Sequence, residues 1–413
     1  MSFQPFLLGS EIGVYGMARA FHSTYHIKSI IIGRMQLAAT KFSDIVTPYF
    51  AEHLTEPETF CSTLINIGKT WVQQHPDTPA LLIPCGDDYS ALLSRFQQEL
   101  SPFFRFNIVE EQLHQRLSHK ASFYRYCDQF KLPYPRTCVI SKAAAASCQT
   151  HVMPFSFPVA LKPSDSVEYL SVDFEGRKKA YAIPNQQELD DTIRKIYAAG
   201  YTGELICQDF IPGGDENMRV LNAYVDQYHH VRAMSLGNVL LGDPTPYAIG
   251  NYAAIIPDYN EGLCQKIKTF LEGIHYVGVA NFDMKYDPRD HEYKLFEINL
   301  RQGRTNFFAS LNGCNLAQCY VDDLIRNTPF TETVFAKGDS MLLEVPPSIF
   351  RKYAKSGSAK DRALELLDAG KWQWTLDYQA DHSWKRRLLL WRLQLLTAKN
   401  YNHYMPLERA EQQ

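Results

Sequence analysis

The sequence predicts an α/β fold that gives way to α+β and ends in a helical extension. Short apolar runs alternate with helical stretches through about residues 1–118, the middle of the chain (about 119–330) is rich in strands that read as hairpins, and about 331–413 reads as helical. With 413 residues, 45% of them hydrophobic, the chain can bury a large core spread over two or three lobes.

In the first segment Phe6-Leu7-Leu8, Ile30-Ile31-Ile32 and Leu81-Leu82-Ile83 read as buried strands, with helical stretches such as Val14–Tyr25 between them. Strands alternating with helices argue for a parallel layer. Ligands of such sheets sit at the carboxyl ends of the strands, where Gly9-Ser10-Glu11 and Cys85-Gly86-Asp87-Asp88 fall. Gly9, Ser10 and Asp87 are therefore candidate substrate contacts, or else parts of ordinary strand-to-helix turns. The glycines at 9, 13 and 16 do not have the GxGxxG spacing of a dinucleotide site.

In the second segment Phe157–Pro163 reads as a strand ending in Lys162, and Glu204–Gly214 as a strand running into a Pro-Gly-Gly turn. Val220–Val225 with Val231–Leu236, and Ala280–Tyr286 with Tyr293–Leu300, read as antiparallel hairpins. The second hairpin carries the strongest chemical signal. Side chains alternate along a strand, so Glu297, Asn299 and Arg301 share a face, and a turn near Asp290 sets Asp283 roughly opposite Glu297. Two carboxylates and an amide carbonyl are hard oxygen donors of the kind Mg²⁺ takes, and Arg301 adds a planar fork for phosphoryl or carboxylate oxygens. A solvated surface hairpin is the alternative, but three ligand-type side chains amid Phe282, Leu295, Phe296 and Ile298 are costly without a counter-ion. Lys162 either meets a phosphate or snorkels from its strand. The stretch Asp209–Asp215 is either a hinge that holds an adenine edge or a plain turn.

Composition excludes several classes. A net charge of -3 from 42 basic and 45 acidic residues is not the footprint of a nucleic-acid binder. Nine cysteines without a CxxC pair favour reduced thiols in a cytoplasmic protein, and the spacing of Cys314 and Cys319 argues against zinc. The N-terminus has no basic region of a signal peptide, and no run of 18 apolar residues predicts a membrane span. The basic, aromatic run Trp384–Arg392 suits a helix lying on an anionic membrane, at the inner face, but a terminal helix docking its Leu/Trp stripe on the core is the preferred reading.

Lys120, Lys162-Pro163, the hinge Gln208–Asp215, Asp283 and Glu297-x-Asn299-x-Arg301 occur in an order that resembles the ATP-grasp family. The resemblance covers about 180 residues and extends to the α/β lobe before Lys120. The stretches Val14–Arg19, Pro158–Pro163, Phe174–Ala180, Asn217–Val225 and Phe296–Arg304 are similar, within that family, to the D-aspartate ligases of Gram-positive peptidoglycan synthesis.

The resemblance implies an ATP-grasp fold and an ATP- and Mg²⁺-dependent ligase that forms an amide through an acyl phosphate. It implies D-aspartate as the acid and the stem-peptide lysine of a peptidoglycan precursor as the amine. Another amino acid or peptide, or a nucleotide-binding module without turnover, is the alternative. Lys120 and Lys162 would contact the ATP phosphates, Gln208, Phe210 and Ile211 the adenine, and Asp215 the ribose. Asp283, Glu297 and Asn299 would hold Mg²⁺, and Arg301 the transferred phosphoryl group. Lys178 and Lys179, beside Arg177, would close over the γ-phosphate, while Arg219 and Arg304 would meet amino-acid carboxylates. The chain departs from the family at Ser164–Tyr169, where many members have a glycine-rich phosphate loop.

Overall fold

A computed structural model describes residues 2–146, 154–164, 168–169, 171–246, 248, 250–381 and 383–405. Two compact units interleave along the chain. The first comprises Met1–Gln115, Gly214–Asp283 and Asn299–Gln413, and the second Arg116–Gly213 and Met284–Ile298.

The first unit begins with a parallel sheet of β1 (Gln4–Leu8), β2 (Ser29–Gly33), β3 (Val46–Phe50), β4 (Ala80–Pro84) and β5 (Phe104–Arg105), in the order β3-β2-β1-β4-β5. The apolar runs expected as strands are β1, β2 and β4. Edge strand β3 has no such run, because Thr47, Pro48 and Tyr49 are exposed and Pro48 donates no ladder bond. Connections leave β1 toward both sides of the sheet, so the chain ends after β1 and β4, which include Gly9-Ser10 and Cys85-Gly86-Asp87, flank a topological switch point. Gly9 lies there with φ +123°, and a Cβ would come within 3.0 Å of Val14 Cγ2, so the turn needs glycine.

The second unit holds a smaller antiparallel sheet of β6 (Thr137–Ile140), β7 (Val159–Pro163), β8 (Tyr181–Ile183) and β9 (Leu205–Asp209), ordered β6-β9-β7-β8. The helix Gln186–Ala198, capped by Asn185, packs Leu189, Ile193 and Ile196 against it. Along β7, Val159, Leu161 and Pro163 are buried while Ala160 and Lys162 are half-buried, the period of two expected of a strand with one covered face.

The remaining strands are β10 (Met218–Val225), β11 (Val231–Gly242), β12 (Tyr252–Asp258), β13 (Gly278–Asp287), β14 (Glu292–Asn299), β15 (Val334–Phe335), β16 (Met341–Leu343) and β17 (Trp372–Gln373). Their sheet runs β14-β13-β10-β11-β12-β16-β17, with β15 beside β11. The hairpin β10/β11 is antiparallel, as its sequence predicts, and the turn between β13 and β14 spans residues 288–291. The last segment is helical through Pro347–Tyr353, Ser358–Asp368 and Trp384–Tyr404, and it also lends β16 and β17 to the sheet.

Within the first unit the C-terminal helix packs through a face other than that of its tryptophans. Leu390 and Tyr401 are buried, and Arg386 pairs with Asp381 at 3.1 Å with both side chains fully inside. Trp384 and Trp391 point outward, 70% and 60% exposed, so the stripe expected to pack does not.

Candidate functional site

Within the first unit the hairpin and the parallel sheet bring Asp283, Asn299, Arg301 and Asp87 together. The amide of Asn299 donates to Asp283 Oδ2 at 3.0 Å and to Asn281 Oδ1 at 3.1 Å, and the Tyr252 hydroxyl donates to Asp283 Oδ1 at 2.7 Å. That orientation leaves the Asn299 carbonyl oxygen facing Arg301 Nη2 at 3.5 Å, and Arg301 Nη2 also reaches Asp87 Oδ2 at 2.8 Å. The sequence placed Asp87 and Arg301 in different candidate groups, and the fold makes them an ion pair.

Tyr252 and Glu344 escaped the sequence reading. Neither carries a motif: Tyr252 matters through the bond of its hydroxyl to Asp283, and Glu344 is a buried carboxylate just after β16. Burial pushes the Glu344 carboxyl up, opposed by a hydrogen bond from Thr375 and by the charges of Arg304 and Arg19.

The second unit gathers a different cluster. Lys120, 8% exposed, lies 3.4 Å from the Glu297 carboxylate. Burial tends to raise the Glu297 carboxyl, but Lys120, Lys162 and Lys179 together hold it below the usual carboxylate range. Lys120 is the ammonium in contact with this carboxylate, and Lys162 and Lys179 add their charge to the same environment. Lys162 Nζ also stands 5.2 Å from the Phe296 ring centre. Lys178 and Lys179 sit on the exposed stretch 175–180, and the backbone N–H of Lys178 donates to the Tyr181 hydroxyl at 2.9 Å. The serine-containing stretch that replaces the glycine-rich loop falls in part on residues 165–167, outside the described residues.

The hinge is tied down from beneath. Gln208 is 2% exposed, and its amide donates to the Tyr124 hydroxyl at 2.9 Å and to Thr137 Oγ1 at 2.8 Å. The protein uses its N–H donors, so its remaining polar atom is the carbonyl oxygen. Lys285 also went unnoticed in the sequence. It is buried, donates to Ile211 O at 3.0 Å and to Gly213 O, and lies 5.5 Å from the Phe210 ring centre. Asp209, one residue upstream of Phe210, accepts from Arg136 and Arg289. Two arginines and a lysine thus fix the backbone on which Phe210 and Ile211 are presented.

Other sequence candidates are engaged in the fold. In the first unit Asp215 Oδ2 accepts the Gly242 N–H at 2.6 Å. Arg219 donates to Asp258, Asn238 and two backbone carbonyls. The Ser10 hydroxyl donates to Met35 O at 2.7 Å. Arg304 is exposed. The described cysteines are free thiols.

No family model matches the chain. Among solved structures it is similar to the L-amino acid ligase of Bacillus licheniformis, at 13% identity and a TM-score of 0.53 over 78% of this chain and 74% of that one. It is also similar to the N5-carboxyaminoimidazole ribonucleotide synthetase of Thermus thermophilus, at 12% identity and a TM-score of 0.57 over 82% and 81%. A third is the biotin carboxylase domain of Hydrogenobacter thermophilus 2-oxoglutarate carboxylase, solved with MgADP and bicarbonate, at 12% identity and a TM-score of 0.56 over 81% and 72%. These likenesses show the ATP-grasp fold. In sequence the chain is 47% identical over 395 residues to a D-aspartate ligase of Enterococcus faecium (strain Aus0004), covering 94% of this chain and 93% of that one. With the ATP-grasp fold and this identity along nearly its whole length, the chain belongs to the D-aspartate ligase family.

Proposed function

We propose that the chain uses ATP and Mg²⁺ to activate the β-carboxylate of D-aspartate and joins it to the ε-amino group of the stem-peptide lysine in a peptidoglycan precursor. The observation that carries the chemistry is the buried Lys120 ammonium 3.4 Å from the Glu297 carboxylate, with Lys162 and Lys179 lending further positive charge to it. The choice of acid rests on the name of the enterococcal relative. The choice of amine rests on the resemblance of the motifs. The proposed place of action is the cytoplasm, where ATP is available. No described helix is long and apolar enough to cross a membrane.

The donor set fits the cofactors. Asp283, Glu297 and Asn299 carry hard oxygens of the kind Mg²⁺ takes; the Asn299 oxygen, which faces Arg301 while the N–H donates to Asp283, would have to turn to serve as a ligand. Bound there, Mg²⁺ would offset phosphate charge as the phosphoryl group moves.

In the first step a β-carboxylate oxygen attacks the γ-phosphorus of ATP, the bond to the bridging oxygen breaks, and ADP leaves with that electron pair. Lys120, Lys162 and Lys179 would hold the phosphates in line and oppose their charge, which is most of what phosphoryl transfer asks of a protein. In the second step the neutral amine attacks the acyl carbon. The C–N bond forms, the C–O bond breaks with its electron pair leaving on phosphate, and the proton lost by the amine nitrogen passes to the departing phosphate. Arg301, oriented by Asp87, would steady the oxygen that becomes negative in between.

D-Aspartate labelled with ¹⁸O in the β-carboxylate tests this directly. One label should appear in the released phosphate during turnover, and unlabelled phosphate would refute acyl-phosphate activation. Comparing D-aspartate, L-aspartate, glycine and D-alanine for ATP consumption with a lysine-containing precursor tests the specificity. D-Aspartate should be preferred, and equal rates for all four would discard the assignment of the acid.

A further inference from the structure

The C-terminal helix Trp384–Tyr404 has an outer face that the fold does not use. Trp384, Leu388, Trp391 and Leu395 are 70%, 51%, 60% and 52% exposed, and their spacing of four, three and four residues sets them in one stripe along nearly the whole first half of the helix. Exposed Lys385, Arg387, Arg392 and Lys399 border that stripe, and the helix contains no Asp or Glu. The opposite face carries Arg386, Leu390 and Tyr401 into the interior, so burial cannot also be the reason for the outer tryptophans.

The stripe continues onto a neighbouring loop. Ser383 Oγ donates to Phe42 O at 3.2 Å, and Arg386 Nη1 donates to Ala39 O and Lys41 O at 3.1 Å each. This anchors the start of the helix against residues 34–42, where Arg34, Met35, Leu37, Lys41 and Phe42 are exposed. The result is one surface of large apolar side chains fringed by six cations. Asp44 is the exposed carboxylate of this loop.

We propose that this surface seats the protein peripherally on an anionic lipid bilayer, with the helix lying in the plane of the headgroups. The chemistry of the two partners is complementary: Trp and Leu enter the boundary between headgroups and acyl chains, while Lys and Arg remain among the phosphates. A second copy of the same helix is a poorer partner. It would bring cations against cations, with no carboxylate on either helix to answer them. The inference stands on this helix and loop, and holds whichever acid and amine the enzyme joins.

The test is co-sedimentation of the full chain with vesicles of phosphatidylcholine, with and without phosphatidylglycerol. The chain should partition onto the phosphatidylglycerol vesicles and stay in solution with phosphatidylcholine alone. Trp384→Ser together with Trp391→Ser should lower the partition coefficient by about tenfold or more without changing the thermal melt, because both side chains already face water. Arg387→Gln with Arg392→Gln should lower it several-fold and flatten its dependence on salt. The charge pair serves as an independent variant if the tryptophan pair disturbs folding. A wild-type chain left in the supernatant with phosphatidylglycerol, or partitioning that neither pair alters, would overturn the proposal. So would a dimer in sedimentation velocity that the tryptophan pair dissociates and the vesicles do not compete for.

Discussion

The two units each place a carboxylate from the β13/β14 hairpin in a built environment, and the environments are opposite in kind. In the first unit Asp283 accepts from neutral donors, the Tyr252 hydroxyl and the Asn299 amide, beside the Arg301–Asp87 pair. In the second unit Glu297 stands among Lys120, Lys162 and Lys179. Neutral donors orient a carboxylate while leaving its charge to attract a cation. Ammonium groups hold that carboxylate in its charged form. A single hairpin thus presents one carboxylate to neutral donors and another to ammonium groups.

The largest expected effect comes from erasing the charge at the lysine cluster. Glu297→Gln should reduce amide formation by about a thousandfold while leaving ATP binding intact, since the lysines keep their charge. Near-normal turnover in this variant would mean that Glu297 only balances lysines. Lys162→Met attacks the other side of the same contrast and should cost about a hundredfold in kcat/KM for ATP, with Lys162→Arg recovering part of it. A loss confined to thermal stability would make Lys162 a snorkelling residue after all.

Smaller changes should separate the first unit from the second. Tyr252→Phe removes one donor to Asp283 and should raise the Mg²⁺ concentration for half-maximal rate by about tenfold, with the rate at saturating Mg²⁺ little changed. An unaltered Mg²⁺ dependence would detach Tyr252 from the metal. The mildest effect is on stability. His114 is buried, shares Ser90 with the carbonyl of Leu300 just before Arg301, and has its imidazole pulled down to about 4 by burial. The folded state therefore prefers the neutral ring. Its stabilisation is complete above the unfolded value near 6.5 and is lost as the pH falls from there through about 4, by up to about 3 kcal/mol. His114→Gln should flatten that part of the stability–pH curve, measured by denaturant unfolding.

Much of the site was legible because its signals are local. The alternation of Glu297 and Asn299 along β14 is readable without knowledge of the fold, whereas Arg301 lies beyond the end of that strand, and an apolar strand carrying Lys162 announces a half-buried cation. The apolar runs of β1, β2 and β4 predicted the parallel layer for the same reason. The exposed edge strand β3 carries no such pattern and was missed. Lys285 and Tyr252 were invisible because their importance lies in what they touch, the carbonyls of Ile211 and Gly213 and the carboxylate of Asp283. The C-terminal run misled in an instructive way. Its composition identified a basic, aromatic helix, but both its faces carry leucines, and composition could not say which one the core would take.

The sequence by itself determined the alternation of apolar strands with helices in the first segment and the antiparallel hairpins of the second, since these follow from periods of two and 3.6 along the chain. Only the tertiary structure decided that Arg301 would meet Asp87, that three lysines would converge on Glu297, and that the tryptophans of the last helix would face outward. The reason is physical. Those outcomes depend on which surfaces pack across long separations in sequence, and a local pattern carries no information about the partner it will find.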